Sequence, residues 1–440
     1  MNVSSTSWTN TSIAFAKTFS LSLLLAISPL SNAAPFHPGV ARVLEQHCLP
    51  CHRPGEVGPF PLDSYEAARK HARQIALVVA QRYMPPWKPS GPGLRFQHER
   101  RLTPTEIAHI TAWVKQGMPR GTGQWNPPAP PPPTTAADAR FRMPLPADIP
   151  AEGRDDYRCF VIPTGLASSR FIDRFAFLPG NRRVVHHALF FFDTSGAARR
   201  LDAESPGPGY PCFGTPGFLP ASSLGGWSPG NTVLHMPPAT AIRVPARADL
   251  VLQIHYHPTG KPEHDQSELA VWFAPAPPTK KLLDVALTSR RIDIPPGNAN
   301  YRVRDHIVLP VDVNLGQIIP HAHLIARQFR AWAISPAGLR RPLLTIPDWD
   351  FNWQDIYQLR TPLKLPAGTR LEMEILYDNS PANPRNPSHP PQRVLWGPGT
   401  TDEMAGLHFN VTVDNEARDL PDLTHSLWGK MMRALEEAKH

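Results

Sequence analysis

Histidines recur in close pairs along this chain, among apolar neighbours that offer them no bonding partner. His186 and His187 are adjacent within Val184-Val185-His186-His187-Ala188-Leu189-Phe190-Phe191-Phe192-Asp193, a run of β-branched and aromatic residues. His255 and His257 close Leu252-Gln253-Ile254-His255-Tyr256-His257, and His321 and His323 flank Ala322. Imidazole is the commonest protein metal ligand and suits copper and zinc. A second constellation is Cys48-Leu49-Pro50-Cys51-His52. This is the spacing of c-type haem attachment, in which each thiol adds to a vinyl group and the histidine is left to ligate the iron. Both constellations point to metal-based redox chemistry.

Strand geometry decides which histidines can act together, because alternate residues share a face. Over 250–257, Gln253, His255 and His257 fall on one side, opposite Leu252 and Ile254. His321 and His323 share a face of a strand at 318–325, so this pair can chelate one ion. His186 and His187 diverge in a regular strand and can meet only where a bulge bends the backbone. His235 and His408 are further candidates, with a turn position and simple exposure as the plainer readings. Strand-like stretches also occur at 171–177, 268–273, 328–334, 371–377 and 406–413, between turns rich in Pro, Gly and Asn. The pattern predicts two antiparallel β-sandwiches meeting near 274–278.

Helix signals gather at 35–121. A short helix at 38–46 precedes the cysteine motif, and a second is predicted at 64–82, opened by Asp63 and Glu66. A third, at 104–117, has Thr103 and Glu106 as a capping box, Pro104 at its first position, and Gly117 as C-cap. Ile107, Ile110, Trp113 and Val114 form its apolar face. A haem iron needs a thioether or imidazole as sixth ligand. Met84, in the proline-stiffened loop Tyr83-Met84-Pro85-Pro86-Trp87, is the choice; Met118 and His98 are the rivals, and a core methionine is the plainer reading. The proline-rich stretch within 122–152 reads as an extended spacer. Residues 420–437 predict an amphipathic helix packed on the body.

Fifty-four prolines and only 19% charged residues favour strands and turns over long helices. The net charge of +8 is modest for 440 residues, and no basic block carries interleaved aromatics, so nucleic-acid binding is not expected. Lys17, the apolar stretch 19–27 and Ser31-Asn32-Ala33 make residues 1–33 a secretory signal, which predicts a periplasmic or secreted protein. No later stretch is apolar enough to span a bilayer. Export implies oxidising surroundings. Cys159 and Cys212 are then most economically a disulfide, with two buried thiols as the alternative.

The order of the histidine motifs resembles that of the type II copper, ascorbate-dependent monooxygenases, the peptidylglycine α-hydroxylating and dopamine β-monooxygenases. Val184-Val185-His186-His187 resembles their His-His motif, and Leu250-Val251-Leu252-Gln253-Ile254-His255-Tyr256 their strand with the third ligand of the same copper. His321-Ala322-His323 resembles the His-x-His of a second copper, and Gly399-Thr400-Thr401-Asp402-Glu403-Met404 the segment with its methionine. The resemblance covers roughly 155–415. It implies one copper on His186, His187 and His255 and another on His321, His323 and Met404. It further implies O2 binding and C–H hydroxylation at the second copper, electron supply from the first, and a solvent-filled cleft between two sandwich domains. Residues 35–121 resemble a small class I cytochrome c.

Departures narrow the substrate. Ala188 stands where the relatives usually have methionine, and Ile319 where the peptide-amidating enzymes have a carboxylate-binding arginine. Gly406 and His408 replace a supporting asparagine and tyrosine, so a glycine-extended peptide is not expected as substrate. The reading that follows has a signal peptide at 1–33, an all-α cytochrome c-like domain at 35–121, a spacer at 122–152, copper sandwiches at 153–277 and 278–415, and a helical tail at 416–440. Two coppers and one covalent haem would serve a monooxygenase acting on a small organic substrate and O2, with a periplasmic electron donor as a further partner. The rival reading is a non-catalytic haem/copper electron-transfer or redox-sensing protein.

Overall fold

The computed structural model describes residues 36–437 except 37, 57, 92, 123–124, 130–135, 154, 230, 232 and 398. The signal-peptide reading of 1–33 lies outside the described residues. Strands dominate: among the described residues there are six helices and twenty-two strands, all within one compact unit.

The expectation of a separate all-α cytochrome c-like domain is not met. Four short helices do form, Gly39–His47, Tyr65–Lys70, Ala72–Ala80 and Pro104–Lys115, around Phe36, Leu44, Leu49, Ile110 and Trp113. The capping box at Thr103 is present, with the Thr103 side chain accepting from Glu106 N–H and Glu106 accepting from Thr103 N–H at 2.7 Å. The helix expected over 64–82 is split at His71, whose ring stacks on Phe60 at 3.8 Å, and its N-cap is Ser64 rather than Asp63. Between Ala80 and Pro104 the chain leaves the helices and joins the C-terminal sheets. Ser90 N–H donates to Thr345 O (2.8 Å), Gln97 N–H to Gln358 O (2.7 Å), and Phe96 pairs with Leu359. Phe96 is buried in the C-terminal core, with Trp87 and Leu94 packed against it. The cause is local chemistry: Pro85, Pro86, Pro89, Gly91 and Gly93 forbid helix, and the apolar residues they space apart need a core that four short helices do not supply.

The N-terminal sheets face one another. One holds Ala139–Arg142, Glu268–Phe273, Arg170–Leu178, Leu234–His235 and Ile242–Val244; the other holds Tyr210–Pro211, Asp156–Pro163, Asp249–Tyr256, Val185–Asp193 and Ser222–Trp227. Phe175 and Phe177 from the first meet Phe190 and Phe192 from the second in a shared core. The Ala139–Arg142 strand, and Ala147–Ile149, which pairs with Glu263–Asp265, lie in the stretch read as a spacer.

Two four-stranded sheets build the C-terminal half. One runs Leu283–Ser289, Ala405–Thr412, Val313–His321 and Tyr357–Leu365; the other runs Tyr301–Val308, Arg370–Tyr377, Ala326–Ile334 and Arg340–Ile346. The final helix, Glu416–Glu437, starts earlier than expected and buries Leu423 in this core. Cys159 and Cys212 form a disulfide.

Candidate metal centres

His255 lies on a strand whose eight residues are all buried, paired on one side with Val185–Asp193. His255 stands opposite His187, and the next pair is Tyr256 with Val185. His186 is therefore the extra residue of a β-bulge, the bend that adjacent histidines need to face one point. The three Nδ1 atoms form a triangle: 3.2 Å from His186 to His187, 3.1 Å from His186 to His255, and 3.2 Å from His255 to His187. The centre of such a triangle is about 1.8 Å from each corner (side divided by √3), close to the ~2.0–2.1 Å metal–imidazole distance, so the three nitrogens would suit one shared ion.

Two of the rings are locked with Nδ1 inward. His186 Nε2–H donates to Asn352 Oδ1 at 2.9 Å, and His255 Nε2–H donates to Asp155 Oδ2 at 2.8 Å. Asp155 also accepts from His257 Nδ1 at 2.7 Å. Burial raises the Asp155 carboxyl, but the two histidine hydrogen bonds outweigh it and hold it down at about 2. Tyr157 stacks on His255 with ring centroids 4.2 Å apart. Burial, then the neighbouring His255, lowers His186 to about 4, and burial holds His187 well below 6.5. His186 and His187 are therefore neutral near pH 7, and with the Nε2 atoms of His186 and His255 turned outward to their partners, the nitrogens facing inward converge on one spot. A cation relieves that repulsion, and the donor set fits copper.

The second pair differs from expectation in one respect. Its strand ends at His321, and His323 lies in the turn that follows. The two rings are still close, with centroids 5.3 Å apart. His323 Nδ1–H donates to Asp402 O at 3.0 Å, which leaves Nε2 buried without a hydrogen-bond partner. Such an orphaned atom is costly unless something binds it. His321 Nδ1–H donates to Gln354 Oε1 at 2.7 Å, and burial, then His323, lowers His321 to about 3. His321 pairs with Gly406 at the end of the antiparallel ladder, and beyond it His323 N–H (2.8 Å) and Met404 N–H (3.3 Å) both donate to Glu403 Oε2, which brings the two backbones together. Glu403 ties the two segments, accepting from His323 N–H and Ile325 N–H, each at 2.8 Å. Two imidazoles joined by a thioether make a donor set suited to a soft metal such as Cu(I).

Side chains fill the space between these two groups. The Phe351 ring lies 6.2 Å from His186, 6.3 Å from His255 and 5.8 Å from His323, and is 6% exposed. Phe213 lies 5.8 Å from His323 and 4.5 Å from Tyr157. The resemblance implies solvent here; the structure has aromatic rings.

At the cysteine motif, Cys48 and Cys51 are unpaired thiols, and burial followed by the neighbouring Cys51 pushes Cys48 up to about 12. His52 Nδ1–H donates to Phe60 O at 2.9 Å, which presents Nε2 as a free ligand atom. A Cβ on Gly58 would lie 2.6 Å from Cys51 O and 2.8 Å from His52 Nδ1, so only glycine allows this close approach. Two free thiols and an orientation-fixed imidazole fit covalent haem.

The sixth-ligand candidates sit on different segments. Met84 is half-buried after the Ala72–Ala80 helix, its N–H bonded to Val78 O. Met118 packs on the helical core and accepts from Tyr65 OH at 2.8 Å. His98 lies within electrostatic reach of His235, whose own shift downward comes first from burial. His257 joins the triad only through Asp155, and His408 bonds Asp284 at 2.8 Å. Sequence reasoning missed Asp155, Asn352, Gln354, Phe351 and Glu403. Only the polar-aromatic alternation of Asp350-Phe351-Asn352-Trp353-Gln354-Asp355 could have drawn attention.

No protein-family profile and no curated protein sequence matches this chain. Among solved structures, the major capsid protein P2 of bacteriophage PM2 is similar at 9% identity over 59% of this chain and 97% of its own, with a TM-score of 0.24. The VP2 subviral particle of infectious bursal disease virus is similar at 9% identity over 67% and 76%, TM-score 0.20, and an allantoicase at 11% over 51% and 74%, TM-score 0.16. Likeness this slight carries no argument about fold or activity. No helix among the described residues is long and apolar enough to cross a membrane.

Proposed function

We propose that this protein is a copper monooxygenase that hydroxylates a C–H bond of a small organic substrate with O2, drawing electrons through a c-type haem on its own chain. The observation that carries the reading is the convergence of three histidine Nδ1 atoms within 3.2 Å of one another. The buried, unpartnered Nε2 of His323 supports a second site nearby. The net reaction balances as R–H + O2 + 2 e⁻ + 2 H⁺ → R–OH + H2O. Copper would supply one-electron redox change and, on the softer ligand set, a place for O2.

The protein's own groups then have distinct tasks. His186, His187 and His255 hold one ion; His321, His323 and Met404 hold the other. Asp155 and Asn352 fix ring orientation at the first; Gln354 and the Asp402 carbonyl do so at the second, with Glu403 holding the His323 backbone. Cys48 and Cys51 would anchor the haem, His52 would ligate its iron, and Met84 is our choice for the remaining ligand. Arg100 bonds Asp355 at 2.6 Å and exerts its charge on Cys51, so the haem segment and the loop that carries Asn352 and Gln354 share a neighbour. Ile319 leaves no cation to hold a substrate carboxylate, which favours an uncharged or apolar substrate. A periplasmic or secreted location fits the disulfide.

One observation favours the rival reading of a non-catalytic electron carrier or redox sensor: Phe351 and Phe213 pack where a substrate would enter. Two measurements decide. Metal and haem analysis of the exported protein should find two coppers and one covalent haem, and loss of haem from Cys48→Ala/Cys51→Ala. Oxygen uptake with an artificial reductant should depend on substrate and stop in Met404→Ile. Uptake that ignores both substrate and Met404 would sink the monooxygenase reading.

A further inference from the structure

One loop, 347–356, reaches both histidine groups. Its Asn352 Oδ1 accepts from His186 Nε2–H (2.9 Å), and its Gln354 Oε1 accepts from His321 Nδ1–H (2.7 Å). Neither amide is free to flip. Asn352 Nδ2–H donates to Asp350 Oδ1 at 3.2 Å, and Gln354 Nε2–H donates to Phe351 O at 3.1 Å. Each amide therefore presents an oxygen to its histidine and leaves the other ring nitrogen as the lone pair. Phe351, the residue just before Asn352, places its ring near both groups, 6.2 Å from His186 and 5.8 Å from His323.

The loop is anchored on all sides. Trp349 Nε1–H donates to His323 O at 3.1 Å, so the loop also touches the second histidine of that pair. Asp355 pairs with Arg100 at 2.6 Å, and Ser228 Oγ–H donates to Gln354 O, which ties the loop to the N-terminal sheets. Asp350 pairs with Lys88 at 3.3 Å. With one residue, Trp353, between them and its N–H bonded back to Asp350 O (2.9 Å), movement of Asn352 is transmitted to Gln354.

We propose that Asn352 and Gln354 are paired positioning residues that make the two metal sites interdependent, so that disturbing the ring of one site weakens metal held at the other. The proposal rests on the two-site reading above. Partners of a ligating histidine's outer nitrogen typically change metal affinity by about 10–100-fold when removed. Coupling between sites through a shared element is typically about 5–150-fold.

The test titrates metal-free full-length protein with Cu(II), read by the separate EPR signals of the two sites, and with Cu(I) against a chromophoric chelator. Asn352→Leu should weaken the triad at least tenfold and the His321/His323/Met404 site about fivefold; Gln354→Leu should do the reverse. Gln354→Glu, which keeps the accepting oxygen, should restore both sites. Near-UV circular dichroism monitors folding, and Asn352→Ala and Gln354→Ala replace any leucine variant that does not fold. If each substitution moves only its own site, or neither moves, the interdependence is overturned. If the unsubstituted protein takes up fewer than two coppers, the two-site reading fails instead.

Discussion

Removing the Asp155 carboxylate separates a metal-binding triad from a chance meeting of histidines. Asp155 accepts from His255 Nε2 at 2.8 Å and from His257 Nδ1 at 2.7 Å. The two bonds are unequal in setting, because the His255 side chain is 2% exposed and that of His257 is 66% exposed. In Asp155→Leu, the buried His255 N–H loses its partner and cannot recruit water, whereas His257 simply turns to solvent. A hydrogen bond to a charged group contributes about 1.5–3 kcal/mol. That range corresponds to roughly 10–150-fold in an equilibrium constant. Since Asp155 is ionised at every pH above about 2, the effect should be full at neutral pH. We expect Cu(II) affinity of the triad to fall about 10–100-fold in Asp155→Leu, less in Asp155→Asn, and by under twofold in His257→Ala. Chelator competition at pH 7 with EPR detection measures this. Equal affinities in Asp155→Leu and the parent protein would falsify the idea that Asp155 orients a ligand.

Other consequences follow from the same groups. In metal-free protein, His186 is held at about 4 and His321 at about 3, against about 6.5 in an unfolded chain. The unfolded state therefore binds more protons below pH 6.5, and stability should fall as pH drops from 6.5 to 5, by up to ~1.4 kcal/mol per unit for each histidine. Denaturation midpoints across that range test it, and a flat profile contradicts it. Glu403→Ala removes the acceptor of the His323 and Ile325 N–H groups, at about 1–3 kcal/mol each. Copper at the His321 site should be lost, while the triad should still bind its own ion with affinity lowered no more than about fivefold, as metal analysis and chelator competition would reveal. Phe351→Ala empties a 6%-exposed position and should cost about 3–5 kcal/mol, seen as a lower thermal midpoint. An unchanged midpoint would mean that the ring is not packed as described.

Much of the sheet architecture was legible in the chain. The alternation and turn chemistry of 171–177, 184–192, 268–273 and 371–377 correspond to Arg170–Leu178, Val185–Asp193, Glu268–Phe273 and Arg370–Tyr377. The capping box at Thr103 and the Cys159–Cys212 disulfide also rested on local or compositional cues. Local periodicity failed where burial depended on a distant partner. Phe96 and Trp87 carry no local mark of packing on Tyr357 and Leu359, more than 250 positions later, so helix periodicity in this stretch points to a free-standing domain that does not form.

The histidine sets show the same division. Residue type and spacing singled out the pairs His186/His187, His255/His257 and His321/His323, and the family resemblance implied the choice of His255 and the addition of Met404. Spacing also stated the condition for the first pair: a bulge or no shared site. Only the tertiary structure decided that the bulge exists, because it arises from the register of Val185–Asp193 against Asp249–Tyr256. It alone chose which ring nitrogen faces inward, since Asp155 and Asn352 come from elsewhere in the chain to take the other. Hydrogen bonds between residues 100 or more positions apart leave no periodic trace in a single sequence, and these bonds turn scattered histidines into candidate metal centres.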